Sequence, residues 1–121
     1  THDNNTLLGW LWDSSESERQ FALEYCGVEA EDWGRGGPNS KACRALIRQV
    51  WQSHAMLAVA PMQDLLGYGA DTRMNIPGTP TQNWRYRMTF ESMAELDTAW
   101  LQRLNRLYRR DEPFGREIGN E

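Results

Sequence analysis

Four short stretches of the chain carry the residue types that chemistry needs. His2-Asp3-Asn4-Asn5 sets an imidazole beside a carboxylate and two amides. Such a cluster offers directional donors and acceptors to a hydroxyl-rich ligand, and it equally suits a turn, because Asp and Asn bond their own backbone. Gln63-Asp64 comes shortly after an apolar run. Polar residues at the C-terminal end of a buried parallel strand face the ligand site in barrels and open sheets. The alternative is that Asp64 merely caps the short helix it lies in. Arg73-Met74-Asn75 and Asn83-Trp84-Arg85 bring guanidinium, amide and indole groups into one loop, either to line a polar groove or to bond the loop to itself.

Other chemistries lack their signatures. His2 and His54 are isolated and no HExxH occurs, so no metal site is expected. There is no GxSxG elbow, P-loop or dinucleotide fingerprint, and His54 reads as a packed or capping residue. A net charge of −4 gives no bulk attraction to nucleic acid or anionic membranes. Arg103, Arg106, Arg109 and Arg110 crowd the end of one helical pattern, where they complement its dipole. No apolar run approaches the ~18 residues of a membrane span. THDNNT lacks the pattern of a secretory leader, and a first residue other than Met leads us to expect a cut or processed chain. Cys26 and Cys43, without a CxxC, are expected to be reduced thiols of a cytosolic protein. Six tryptophans suit either a dense core or stacking on sugars.

The positioning elements follow from periodicity and caps. Within the 121 residues, 40% are hydrophobic and 25% charged, which fits one domain or part of one. Leu8, Trp10 and Trp12 alternate over a stretch too short to type. Ser15-x-x-Glu18 is a capping box opening a helix at about 16–26, with Phe21, Ala22, Tyr25 and Cys26 as its apolar face and Gly27 as its stop. Residues 29–40, with three glycines and a proline, read as loop. Ser40 caps a helix at about 41–53, striped by Ala42, Ala45, Leu46, Val50 and Trp51, with Lys41, Arg44 and Arg48 on a solvated face. Ala55–Ala60 is apolar on both alternating faces and stops at Pro61, as a strand buried from both sides does; continuation of the preceding helix is the competing reading. One helical turn precedes Gly67, and 68–88 forms a long loop of the kind that carries function. Ser92-x-x-Glu95 then opens an amphipathic helix at about 93–109, and 111–121 reads as a tail.

Taken in order, THDNNT, PMQDLLGYG, RMNIPGT and NWRYR resemble the C-terminal part of the amylomaltases, the disproportionating 4-alpha-glucanotransferases of glycoside hydrolase family 77. The resemblance implies an α/β fold: the C-terminal segment of a (β/α)8 barrel over residues 1–110, mostly helical with one short buried strand. His2-Asp3 would end the seventh strand and Ala55–Ala60 would be the eighth. It implies a retaining reaction on malto-oligosaccharides or other alpha-1,4-glucans, without a cofactor, through two carboxyl groups at ~5–5.5 Å. Asp3 matches the third carboxylate, which stabilises the transition state, and His2 the adjacent sugar-binding histidine. Asn4, Gln63, Asp64, Arg73, Asn75, Asn83 and Trp84 are the further substrate-binding candidates. The nucleophile and acid/base motifs are absent, so the chain alone is expected to be inactive. The family usually has aspartate where Asn5 stands and glycine where Gln82 stands. The other class of reading is a stand-alone helical binding or assembly module, self-associating through exposed apolar faces.

Overall fold

A computed structural model of the chain describes residues 4–29, 32–81 and 83–112. Helix α1 (Leu7–Asp13) opens at Thr6, whose hydroxyl accepts from the Gly9 N–H at 3.1 Å. Helix α2 (Glu16–Tyr25) opens with a reciprocal capping box between Ser15 and Glu18, and Gly27 follows it at φ +73°. Helix α3 (Lys41–Trp51) is capped by Ser40, which accepts from Cys43 N. A single turn, α4 (Met62–Leu65), and a 3-10 turn (Ala70–Thr72) lead into the long loop. Helices α5 (Phe90–Ala94) and α6 (Thr98–Leu107) close the described part.

Helix α3 is the hub, packing against α1, α2, α4 and α6. Leu11, Leu23 and Ala42 form the core of three of these helices, with Trp33 and Leu46 against them. Each buried leucine of such a cluster contributes roughly 1.5–3 kcal/mol. The loop before α3 is fastened to this core from two sides. Trp12 donates its indole N–H to Gly34 O and tilts against Trp33 at 5.0 Å. The Arg19 guanidinium lies 3.8 Å over the Trp33 ring while donating to Leu11 O and Ser14 O. Gly37 and Gly67 meet backbone to backbone, Gly37 N donating to Gly67 O at 3.0 Å, and a Cβ on Gly67 would run into Gly37.

Four expectations from sequence need correction. Ala55–Ala60 is not a strand, and it does not continue α3, which ends at Trp51. A strand needs a neighbouring backbone, and no strand exists among the described residues to supply one. Met56, Leu57 and Val59 are consequently 79%, 78% and 75% exposed. The helix expected over 93–109 is broken into α5 and α6, because Thr89 and Asp97 each cap a helix more effectively than Ser92-x-x-Glu95 does: Ser92 N donates to Thr89 Oγ1 and Trp100 N to Asp97 Oδ1, both at 3.0 Å. In α2, Phe21 and Tyr25 stack on one another outside, and Leu23 is the residue turned inward. His54 is exposed rather than packed.

Arg44 also departs from expectation, being a tether rather than a solvated charge. It donates to Asp97 Oδ2 at 2.7 Å and to Pro38 O at 2.8 Å, and lies 4.7 Å over the Trp100 ring. Trp51 Nε1 donates to Asn105 Oδ1, and Arg110 reaches back to the carbonyls of Trp51, Ser53 and Ala55. These bonds seat α6 on α3, with Leu104 buried between them. At the other end, Asp64 Oδ1 accepts from the Leu7 N–H at 2.8 Å and so satisfies a donor of the first turn of α1 from a residue 57 positions away.

Two outcomes follow for stability, both measurable by urea unfolding. Burial pushes the Asp64 carboxyl up, and the Leu7 N–H pulls it back only in part. A raised folded pKa means that the ionised form opposes folding, so stability falls as pH rises through it. Asp64→Asn keeps the acceptor and removes the charge, and is expected to be at least as stable as the parent at pH 7. Asp64→Ala strands the Leu7 donor and is expected to cost about 1–3 kcal/mol. Asp97 has the opposite sign: the Trp100 N–H, then Arg44, hold its carboxyl below the usual carboxylate range. Its contribution is present at neutral pH and is lost as pH falls below about 4 and through the depressed folded value. In Asp97→Asn that acid-dependent loss should shrink, and an unchanged pH profile would refute the assignment.

Candidate functional site

A cleft of about 630 Å³ opens between the entry to α1, the C-terminal half of α3, and the segment from Val59 through Met74. Its apolar side comes from Ile47, Trp51 and Val59. Its polar side comes from Asn4 ahead of α1, Gln63 and Asp64 in α4, and Arg73 after the 3-10 turn. An apolar wall with a few convergent polar groups is the general form of a small-molecule site.

The polar groups are held from behind. Gln63 Nε2 donates to Thr72 O at 3.2 Å, and the buried Thr72 hydroxyl donates to Gly69 O at 2.8 Å. These bonds fix α4 to the 3-10 turn and hence Gln63 to Arg73. Asp64 lines the cleft with one oxygen committed to α1, and it does not cap its own helix. Pro61 opens α4 with no side-chain cap.

Asn75, Asn83 and Trp84 do not line this cleft. They belong to a self-bonded loop that joins it through Met74, a residue of its wall. Asn83 Oδ1 accepts from Ile76 N at 2.9 Å and Asn83 Nδ2 donates to Thr79 O at 3.0 Å. Trp84 N donates to Met74 O at 2.5 Å, with Trp84 half-exposed and its backbone at φ +60°. His2 and Asp3 lie outside the described residues, as does Gln82.

The sequence names Asn5 in the polar cluster but not its contacts, and it does not single out Tyr86, which lies outside the cleft lining. Asn5 lines the cleft, accepts from Thr6 N at 2.8 Å and donates from Nδ2 to Asp13 Oδ2 at 3.2 Å. An aspartate at position 5 would set like charges against each other there, so the amide suits this neighbour. Asn-x7-Asp gives no recognisable spacing signal. Tyr86 meets Tyr68 edge-on at 6.5 Å, and its hydroxyl is buried without a hydrogen-bond partner among the described residues. Burial pushes that hydroxyl up, and Tyr68 and Asp71 add to the effect. Among the described residues no three of His, Cys, Asp and Glu gather to hold a metal ion, and no helix is long and apolar enough to cross a membrane.

Comparison with known proteins bears on the site. A family model described as 4-alpha-glucanotransferase, glycoside hydrolase family 77, matches residues 1–93. The 4-alpha-glucanotransferase of Synechocystis is 36% identical over 91% of this chain and 20% of its own length. That of Thermus thermophilus is 39% identical over 73% of this chain and 17% of its own. Among solved structures, the amylomaltase of Streptococcus agalactiae in complex with acarbose superposes with a TM-score of 0.77 at 29% identity, covering 90% of this chain and 20% of that one. The chain thus spans about a fifth of the length of these relatives. With more than half its residues inside the family model and the fold shared with a solved member, the chain belongs to the 4-alpha-glucanotransferase family, glycoside hydrolase family 77.

Proposed function

We propose that this chain serves as the C-terminal sector of a (β/α)8 catalytic barrel that transfers alpha-1,4-glucan segments between malto-oligosaccharides. The observation that carries the reading is the cleft, where Asn4, Gln63, Asp64 and Arg73, from three separate motif segments, line one space. Residues 1–110 are the barrel sector, 68–88 its active-site loop, and 111–121 a tail. The reaction is a retaining double displacement: a carboxylate outside this sector attacks the anomeric carbon, a carboxylic acid protonates the leaving oxygen, and a second glucan's hydroxyl replaces water as the acceptor. Asp3 supports the oxocarbenium-like sugar and His2 bonds one of its hydroxyls. Asn4, Gln63 and Arg73 bond glucan hydroxyls in the cleft, with Asn75 and Trp84 at its rim and Asp64 fixing the wall. The chemistry is acid–base and nucleophilic and takes no cofactor.

The exposure of Met56, Leu57 and Val59 favours a severed sector over a stand-alone module. In a barrel this run is the eighth strand, buried from both sides, and the same burial accounts for its uninterrupted apolar sequence. We take the compartment to be the cytosol, because two cysteines without a CxxC suit reduced thiols; the potato and Arabidopsis relatives are named as plastid proteins.

Incubated with maltotriose, the isolated chain should release no glucose and build no longer oligomers. The whole transferase should do both, and Asp3→Ala in it should lower kcat by about 10²–10³ or more, as loss of a group acting on developing charge does. Full turnover in that variant would refute the role of Asp3. Sedimentation of the isolated chain should reveal concentration-dependent association that weakens in Leu57→Lys, since the apolar run is left uncovered. A clean monomer at all concentrations would speak for an independent module.

A further inference from the structure

The loop 73–84 contains an internal clasp built around Asn75. On one side of Asn75, Met74 O accepts from Trp84 N at 2.5 Å. On the other, Ile76 N donates to Asn83 Oδ1 at 2.9 Å. Asn83 thus reads the loop through its side chain and Trp84 through its backbone, and the two adjacent residues pin both neighbours of Asn75. The turn under the clasp is itself tied. Thr79 N donates to Ile76 O at 3.2 Å across Pro77-Gly78, with Gly78 at φ +82° as a type II turn demands. The Thr79 hydroxyl donates to the same carbonyl at 2.6 Å, and Asn83 Nδ2 donates to Thr79 O at 3.0 Å.

Trp84 adopts a left-handed backbone, φ +60°, which a bulky residue takes only when its surroundings enforce it. Strained backbone of this kind concentrates where a binding segment must be held still. The clasped segment is not remote from the cleft, because Arg73 and Met74 form part of its wall.

We propose that Asn83 is a positioning residue that holds Arg73-Met74-Asn75 rigid at the cleft for a glucan chain, rather than a residue that bonds the sugar itself. Both ends of its amide are spent on the loop, the oxygen on Ile76 and the nitrogen on Thr79. A flexible loop would have to be ordered by each incoming glucan, and that ordering would be lost from affinity. The proposal rests on the reading of the cleft as the glucan site.

Amide hydrogen exchange on this chain, followed by kinetics in the whole transferase, tests it in two separable arms. Asn83→Ala removes both bonds and should speed exchange of the Ile76 amide by about tenfold or more. Asn83→Asp keeps an oxygen for Ile76 N and should leave that amide protected, which also guards against reading global unfolding as loss of the clasp. In maltotriose disproportionation, Asn83→Ala should raise KM about tenfold with kcat within about twofold, and Asn83→Asp should recover part of the KM. Unchanged Ile76 exchange in Asn83→Ala would overturn the clasp. Faster exchange with an unaltered KM would overturn the positioning role. A wild-type transferase that does not disproportionate maltotriose would sink the glucan reading and the positioning role with it, while the exchange arm would still report on the clasp.

Discussion

A hydrogen bond from the Leu7 N–H to the Asp64 carboxylate ties together the two polar borders of the cleft, which also pack on α3. It joins the start of α1 to α4 across 57 residues of chain. The N-terminus of a helix exposes unpaired N–H groups and a partial positive charge, and a carboxylate answers both. Because Thr6 satisfies Gly9 at the same turn, α1 is capped twice, once locally and once from a distance. The distant cap costs desolvation of a buried carboxyl, and the price is accepted where it brings Asn4 and Asn5 opposite Gln63.

The second constraint is an apolar run left exposed among the described residues. Helix α3 has partners on several sides, and its buried residues Ala42, Cys43 and Ile47 are spent on them. Among the described residues the run from Met56 to Val59 is largely uncovered: it is anchored just before it, where Arg110 reaches Ser53 and Ala55, and at its end Val59 borders the cleft. Two arginine-centred tethers, Arg44 with Asp97 and Arg110 with Trp51, help keep α6 on α3, with no sheet beneath them among the described residues. Polar and cation–π contacts therefore do work here that sheet packing does in a closed barrel. This division agrees with a sector whose apolar faces were selected for neighbours outside it.

What was legible in the sequence is what depends on near neighbours. The Ser15-x-x-Glu18 box, the Ser40 cap and the stop at Gly27 each involve residues within a turn or so, and composition marks them. The break between α5 and α6 was hidden because Thr89, Ser92 and Asp97 all have the chemistry of a cap, and only packing selects among them. Arg44 looked like a solvated charge because its partner lies 53 positions downstream. Residues 55–60 differ for another reason: a continuous apolar run has the pattern of a strand buried on both faces, but no neighbouring strand exists among the described residues to pair with it. The site was legible as four separate motifs. That Asn4, Gln63, Asp64 and Arg73 share a cleft, while Asn83 and Trp84 bind their own loop, was not, since the motifs carry no information on how α3 sets their distances.

The site thus divides its labour between two kinds of rigidity. Along the cleft wall, positions are set by helices packed on α3, so a side chain there inherits the precision of the core. At the rim, the loop 73–84 has little apolar mass to pack, with Ile76, Pro77 and Trp84 all exposed. Its order has to come from hydrogen bonds made within it, and an asparagine suits this because one planar amide both accepts and donates. Hydrophobic packing resists displacement in any direction but accommodates small slides, whereas a bidentate amide clasp fixes register. The arrangement of Asn83 around Asn75 is how this sequence supplies that rim without enlarging its core.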